Sequence, residues 1–217
     1  MRLNLGCAAN MFPGWTNLDK IDMSGYLETL RHSGDISTWP EHQQKMADHA
    51  RNGAVSCSVL DMRYDLHRFA DSSIDAIYLG QVVEHMQPIV ELPRLLGECW
   101  RMLKPGGKVR ITTPDLDVLL NAYWEGKMDD FAHEQPEFYM QVTPDAQLSY
   151  IMFGACGPAC TTENYEGHMA CLGKRHAKAL LEVIGFTDVT FDAKSDVFAE
   201  CVDAGMSHSW AAEATKP

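Results

Sequence analysis

Leu3-Asn4-Leu5-Gly6-Cys7-Ala8-Ala9-Asn10-Met11-Phe12-Pro13-Gly14-Trp15-Thr16-Asn17-Leu18-Asp19 opens the chain with two short strand patterns. Arg2–Leu5 reads as a first strand that ends at Gly6, and Thr16–Leu18 as a second that ends at Asp19. Trp15 follows Gly6 by only nine positions, so any helix between these strands must be short or absent. Gly6 carries no Cβ and lets the backbone pass close to a ligand. A carboxylate at the end of a second strand can accept both hydroxyls of a ribose.

The pattern continues outward from this stretch. Lys20 to Asn52 is polar, with a helix expected near Glu41–Arg51. Ala54–Leu60 reads as a third strand ending at Asp61. After the turn signal Asp71-Ser72-Ser73, Asp75–Leu79 reads as a fourth, running into Gly80-Gln81. Glu91–Leu103 is a helix, since Leu92, Leu95, Leu96, Cys99 and Leu103 fall on one face at helical spacing. Lys104-Pro105-Gly106-Gly107 stops it, and Lys108–Thr112 is a fifth strand. Lys174–Ile184 is a second amphipathic helix ended by Gly185, with Thr187–Phe191 and Val197–Val202 as two closing strands. Strands alternating with helices argue for an α/β fold. The interval 116–172 is long for a connection and is expected to carry a function.

In an open parallel sheet, ligands lie outside the carboxyl ends of the strands. Here those ends are Gly6, Asp19, Asp61 and Gly80-Gln81. Asp61 is suited to accept from an exocyclic adenine amine, as carboxylates accept from base amines. Any one of these residues alone is an ordinary turn residue; four in this order point to a nucleoside-bearing cofactor.

The sequence here resembles the class I S-adenosylmethionine-dependent methyltransferases. It is closest to a compact group whose first motif reads Leu-Asn-Leu-Gly-Cys-Gly, then Pro-Gly-Trp and an Asp. The match runs on through Phe69–Tyr78, Val82-Val83-Glu84-His85-Met86, Arg101–Ile111 with its Leu103-Lys104-Pro105-Gly106-Gly107, Thr113-Pro114-Asp115-Leu116, and Gly185-Phe186. The resemblance implies a Rossmann-like α/β fold: a seven-stranded, mostly parallel sheet with an antiparallel last strand, flanked by helices. One domain would span 1–217, with variable substrate-covering segments at about 20–54 and 116–172. The cofactor would be S-adenosylmethionine, leaving S-adenosylhomocysteine as product. By the same resemblance, Gly6, Cys7 and Ala8 would face its methionine part and Asp19 its ribose. Asp61 and Met62 would border the adenine, and Gly80, Gln81 and Val82 would lie along it. The family has glycine where this chain has Ala8, a departure that could narrow the approach or shift the loop. For that reason a binding or regulatory protein on the same fold is kept as a second reading.

Three residues are candidates for the chemistry: His85 as general base, His168 as a pocket-lining residue, and Asp115 as a substrate-orienting group. Glu84 reads as a cap or support. Cys156, Cys160, His168 and Cys171 form a C-x3-C-x7-H-x2-C pattern whose spacing is not a standard zinc one, so no metal is expected. Tyr123, Trp124, Phe138, Tyr139, Tyr150 and Phe153 either bury the long interval against the sheet or wall an apolar acceptor.

Composition narrows the partners. The formal charge of −12 would repel a phosphate backbone, which argues against nucleic acid and for a small-molecule acceptor. No apolar run reaches the ~18–20 residues that span a bilayer. The strand-like start leaves no room for a signal peptide. Seven cysteines, an odd number, fit reduced thiols in the cytoplasm better than a disulfide framework. The sequence specifies no oligomeric state. The expected activity is methyl transfer to an oxygen or nitrogen nucleophile. An aminopropyl transferase, the rival enzyme, would need acidic residues around a polyamine, and its motifs are not seen.

Overall fold

The structure is a computed structural model that describes residues 1–134, 143–154, 167–203 and 208–217. Seven strands form one sheet: β1 (Arg2–Leu5), β2 (Thr16–Asp19), β3 (Cys57–Val59), β4 (Ile74–Gly80), β5 (Leu103–Pro114), β6 (Thr187–Phe191) and β7 (Ser209–Thr215). Their order is β3-β2-β1-β4-β5-β7-β6. Pairing is parallel from β3 through β5, and β7 runs antiparallel to both β5 and β6. Leu3, Leu5, Ile77, Leu79, Val109 and Ile111 share one buried face of the central strands, and Ala76 and Tyr78 are buried on the other, so the sheet is covered on both sides.

The helices are α1 (Ser24–Arg31), α2 (Glu41–Arg51), α3 (Glu91–Met102), α4 (Leu116–Trp124), α5 (Pro144–Ser149) and α6 (Lys174–Ile184). α3 buries Leu92, Leu95, Leu96, Cys99 and Met102. α6 ends at Gly185, whose φ of 114° is the left-handed conformation that glycine adopts without penalty. α1 and α2 pack around a separate cluster of Leu27, Leu30, Met46, Ala47 and Ala50, which also covers Cys7 and Met11.

Two expectations need correction. Lys104-Pro105-Gly106-Gly107 does not form a loop between helix and strand: the helix stops at Met102 and β5 begins at once with Leu103. Gly106, at φ 78°, gives its N–H to the Lys216 carbonyl, and Lys216 returns its own to Gly107. Pairing across the sheet therefore holds a sequence that would otherwise turn away. The second correction concerns Val197–Val202, which is not a strand. Asp196–Phe198 is a 3-10 turn that sinks Phe198 against Trp15, with ring centroids 5.8 Å apart. The closing strand is instead Ser209–Thr215, which buries Ala212 and Ala214 and pairs with β5 and β6 on its two edges.

No helix joins β1 to β2, as expected. The returning segment is held by a buried pair, Asn4 on β1 and Asn17 on β2, which face each other in register. Asn4 donates to Asn17 Oδ1 (2.9 Å) and to the Asn10 carbonyl (2.7 Å). Asn17 accepts from the Phe12 N–H (2.9 Å) and donates back to the Phe12 carbonyl (3.1 Å). Phe12 and Trp15 then pack against Tyr78 and Phe198.

On the same face of the sheet, in register with Tyr78 of β4, Arg110 of β5 is almost wholly buried. Its guanidinium donates two bonds to Asp203 (2.8 and 2.6 Å), one to Glu213 of β7 (2.7 Å) and one to the Ala193 carbonyl (2.6 Å). Glu213 also accepts from the backbone and hydroxyl of Ser195.

Candidate active site

The tips of the first three strands are tied together by backbone bonds. Gly6 and Cys7 both donate to the Leu18 carbonyl (2.8 and 3.1 Å), and Leu60 donates to the Asp19 carbonyl (2.7 Å). Asp19 is buried, and its carboxylate is pinned on both sides: Oδ2 accepts from the Ala8 N–H (2.8 Å) and Oδ1 from the Ile21 N–H (2.9 Å). Each oxygen keeps a second lone pair for a further donor. Gly6 stands at φ 66°, where a Cβ would come within 2.5 Å of Val82 Cγ2 and 3.1 Å of Met62 Cε. Gly6, Met62 and Val82 therefore meet at one point.

The remaining expected cofactor residues sit around this point with partners of their own. Cys7 turns its thiol to Cys57, with the sulfurs 3.4 Å apart; that contact, with burial, raises its pKa and makes it a poor nucleophile. Asp61 closes its own turn by accepting from the Arg63 N–H (2.9 Å). Gly80 makes room for the Tyr78 ring, which would lie 2.5 Å from an added Cβ. Gln81, at φ 56°, turns towards Thr112 and Ser209 at the tips of β5 and β7. A cavity of about 140 Å³ lies beside this group, between the turn at Met62–His67 and α3. Only Met62 of the expected set lines it.

Ala8, at φ 39°, occupies the left-handed region. That conformation costs an L-residue roughly 1–2 kcal/mol, part of which glycine gives back as unfolded-chain entropy. Ala8→Gly is expected to raise stability by up to about 1 kcal/mol, measurable by urea unfolding. A destabilised variant would show that the loop holds Ala8 without strain.

Two of the three candidates for the chemistry come together. His85 lies on the 3-10 turn Val83–His85 just beyond β4, and His168 returns from the long interval. Their rings meet edge to face, with centroids 4.8 Å apart. The chain is fixed there because Met169 and Ala170 both donate to the Glu84 carbonyl (2.7 and 3.1 Å). His168 Nδ1 lies 2.7 Å from the Ile151 carbonyl. Burial, and after it the charges of Lys20 and Arg63, lower the His85 pKa. Asp115 does not join the two rings: its side chain accepts from the Asp117 N–H (3.0 Å) and caps α4. Of the cysteine–histidine pattern, Cys156 and Cys160 lie outside the described residues, as do Phe138 and Tyr139.

Glu84 is more than a cap. It is fully buried, with Oε2 accepting from the Thr113 hydroxyl (3.0 Å) and Oε1 without a partner among the described residues. Burial pushes its carboxyl up to about 8 from the ordinary 4.5. Burial, with His85 beside it, pushes the His168 imidazole down to about 4 from 6.5.

These shifts set a pH dependence. The raised pKa of Glu84 contributes stability that is complete below pH 4.5 and lost as pH rises towards 8. The lowered pKa of His168 contributes stability present above pH 6.5 and lost as pH falls towards 4. The two slopes oppose each other below pH 6.5, and only the Glu84 slope remains above it. The melting midpoint is expected to fall between pH 6.5 and 8, and Glu84→Gln to flatten that fall. A wild-type midpoint constant across that window would show that Glu84 titrates normally.

The strand order, with β7 alone reversed between β5 and β6, is one half of the assignment. The other is that residues 26–111 match the methyltransferase domain family. The chain has the Rossmann-like methyltransferase fold and matches the methyltransferase domain family over about two fifths of its length. It is similar in fold to a SAM-dependent methyltransferase from Archaeoglobus fulgidus, at 16% identity and a TM-score of 0.50, covering 99% of this chain and 85% of that one. It is also similar to a protein from Pyrococcus horikoshii OT3, at 16% identity and a TM-score of 0.52, covering 100% of this chain and 81% of that one. A third likeness, to the apo form of the methyltransferase SibL, has 14% identity and a TM-score of 0.52, and this chain spans 50% of that protein's length. No curated protein matches the sequence. The matched segment begins after β2 and leaves out the Gly6 and Asp19 tips.

Proposed function

We propose that the protein is a class I S-adenosylmethionine-dependent methyltransferase that transfers the cofactor's methyl group to a small molecule through an oxygen or nitrogen nucleophile, bound where His85 and His168 meet. The contact between these two rings, just beyond the tip of β4, carries this reading. The residues present suit the cofactor. A pinned, buried carboxylate at Asp19 has lone pairs left for the ribose hydroxyls, and the Gly6 tip tolerates no side chain. On this reading Asp61 and Met62 border the adenine and Gly6–Ala8 the methionine part, while Gly80, Gln81 and Val82 run alongside.

The bound cofactor supplies a methyl group on a sulfonium, open to in-line attack. The protein has then to align the acceptor, exclude water and take a proton. Burial lowers the pKa of both imidazoles, so at neutral pH they are uncharged and able to accept the acceptor's proton. The intervals 20–54 and 116–172 cover the acceptor. The second has its own apolar cluster of Leu119, Met128, Phe131 and Ile151, which lets it vary without disturbing the sheet. The net charge of −12 favours an acceptor that is not a polyanion. Free thiols at Cys7, Cys57, Cys99, Cys171 and Cys201 suit work in the cytoplasm, and no described helix is long and apolar enough to cross a membrane.

Calorimetry with S-adenosylmethionine and S-adenosylhomocysteine tests the cofactor site: both should bind. A protein that binds neither would overturn the reading in favour of a binding or regulatory role, the one that the strained Ala8 loop would suit.

A further inference from the structure

We propose that Glu84, His85 and His168 form a binding site for a divalent transition-metal ion of the zinc or ferrous type. One ligand atom from each residue lies within 4.8 Å of the others. Two imidazoles and a carboxylate are a donor set that such ions accept, with further coordination positions left open. Donors about 2.0–2.2 Å from an ion stand roughly 3–3.5 Å from one another, so small side-chain rotations complete the site.

Three observations point the same way. The first is the orphaned oxygen: Glu84 is fully buried, Thr113 serves Oε2, and Oε1 has no partner among the described residues. A buried acceptor left unpaired is costly, and a cation beside it removes that cost. The second is how the rings are held. His168 gives its Nδ1 side to the Ile151 carbonyl at 2.7 Å, and His85 is bonded to the backbone of Gly167. A backbone carbonyl on one ring nitrogen fixes the tautomer and leaves the other nitrogen as a ligand, the usual support of a metal-binding histidine. The third is rigidity: Glu84 and His85 share one 3-10 turn, and the chain after His168 is bonded twice to the Glu84 carbonyl. Lys20 and Arg63 oppose a cation through their charge, whereas Asp115, near Cys171 as Glu84 is, favours one.

Binding is argued from the ligands alone. A role for the ion rests on the acceptor reading above: its open positions would hold the acceptor's oxygen or nitrogen. The ion would then occupy the imidazole lone pairs that otherwise take the proton, so the two roles exclude each other.

The test uses chelator-treated whole protein, titrated with Zn²⁺ against a chromophoric chelator and with Co²⁺ by visible absorption. One tight site per chain is expected, with nitrogen and oxygen ligands in the cobalt spectrum. Glu84→Gln and His168→Ala should each weaken it by about a hundredfold, while the exposed His176→Ala leaves it unchanged. Circular dichroism confirms that the variants are folded, and Glu84→Gln, which is nearly isosteric, guards against collapse of the His168 variant. No saturable binding, binding that survives either substitution, or a thiolate charge-transfer band would overturn the site. Calorimetry with S-adenosylmethionine on the same samples fails only if the cofactor reading fails.

Discussion

Asp19→Ala is expected to destabilise the fold by about 3–5 kcal/mol and to weaken S-adenosylmethionine binding by roughly 5- to 150-fold. Two effects add. The substitution strips the Ala8 and Ile21 N–H groups of a charged acceptor in a buried setting, and each such bond is worth roughly 1.5–3 kcal/mol. It also removes the lone pairs assigned to the ribose, worth a further ~1–3 kcal/mol of binding. Asp19→Asn separates the two. Its carbonyl keeps one of the N–H partners, while its amide faces the other, so about half the stability should return. Urea unfolding reads the first effect and calorimetry the second. An Asp19→Ala protein with wild-type stability would mean that the carboxylate does not hold the loop; one with wild-type affinity would remove Asp19 from the cofactor site.

Arg110→Ala should be as severe, at a place far from any chemistry. The guanidinium joins β5, β7 and the segment between Ala193 and Asp203, and truncation leaves Glu213 buried without its counter-charge. Breaking a buried ion pair from one side costs about 3–5 kcal/mol, which for a domain of this size is a loss of roughly 10 °C in melting temperature. Arg110→Lys should recover little, because an ammonium cannot bind Asp203 through two parallel bonds. A melting temperature within 2–3 °C of wild type would show that solvent or rearrangement compensates Glu213.

The sheet was legible in the sequence wherever local chemistry and final environment agree. Leu3 and Leu5, or Ile77 and Leu79, are strand residues by propensity and are buried in the fold. α3 and α6 carry clean apolar faces, and Gly185 supplies a stop that no context overrides. The failures have one cause, pairing at a distance. Ser-Trp-Ala-Ala-Glu-Ala-Thr is a poor strand former alone and becomes β7 because β5 and β6 pair with its backbone on both edges. Pro105-Gly106-Gly107 reads as a turn and is drawn into β5 by Lys216.

The site divides in the same way. His85 and His168 were singled out as residue types, but 83 positions of sequence hid that they touch. Glu84 looked like a cap because its burial follows from the packing of Thr113 and Met169 around it. Asp115 fits both a substrate-orienting group and a helix cap from sequence, and it caps α4. Asn4 and Asn17 passed unremarked, although a polar residue in each of two apolar strands was a usable signal.

The Asn4–Asn17 lock has a consequence for how the chain reaches its native state. Parallel neighbours are ordinarily joined by a crossover of a dozen or more residues, usually a helix, which must be in place before they pair. Here the paired side chains are 13 positions apart, whereas Arg110 and Glu213 are separated by 103. Closing the longer loop costs roughly 2 kcal/mol more in chain entropy, since each doubling adds about 0.6. The β1–β2 edge can thus nucleate from nearly local encounters, while the reversed strand waits for the C-terminal end to arrive.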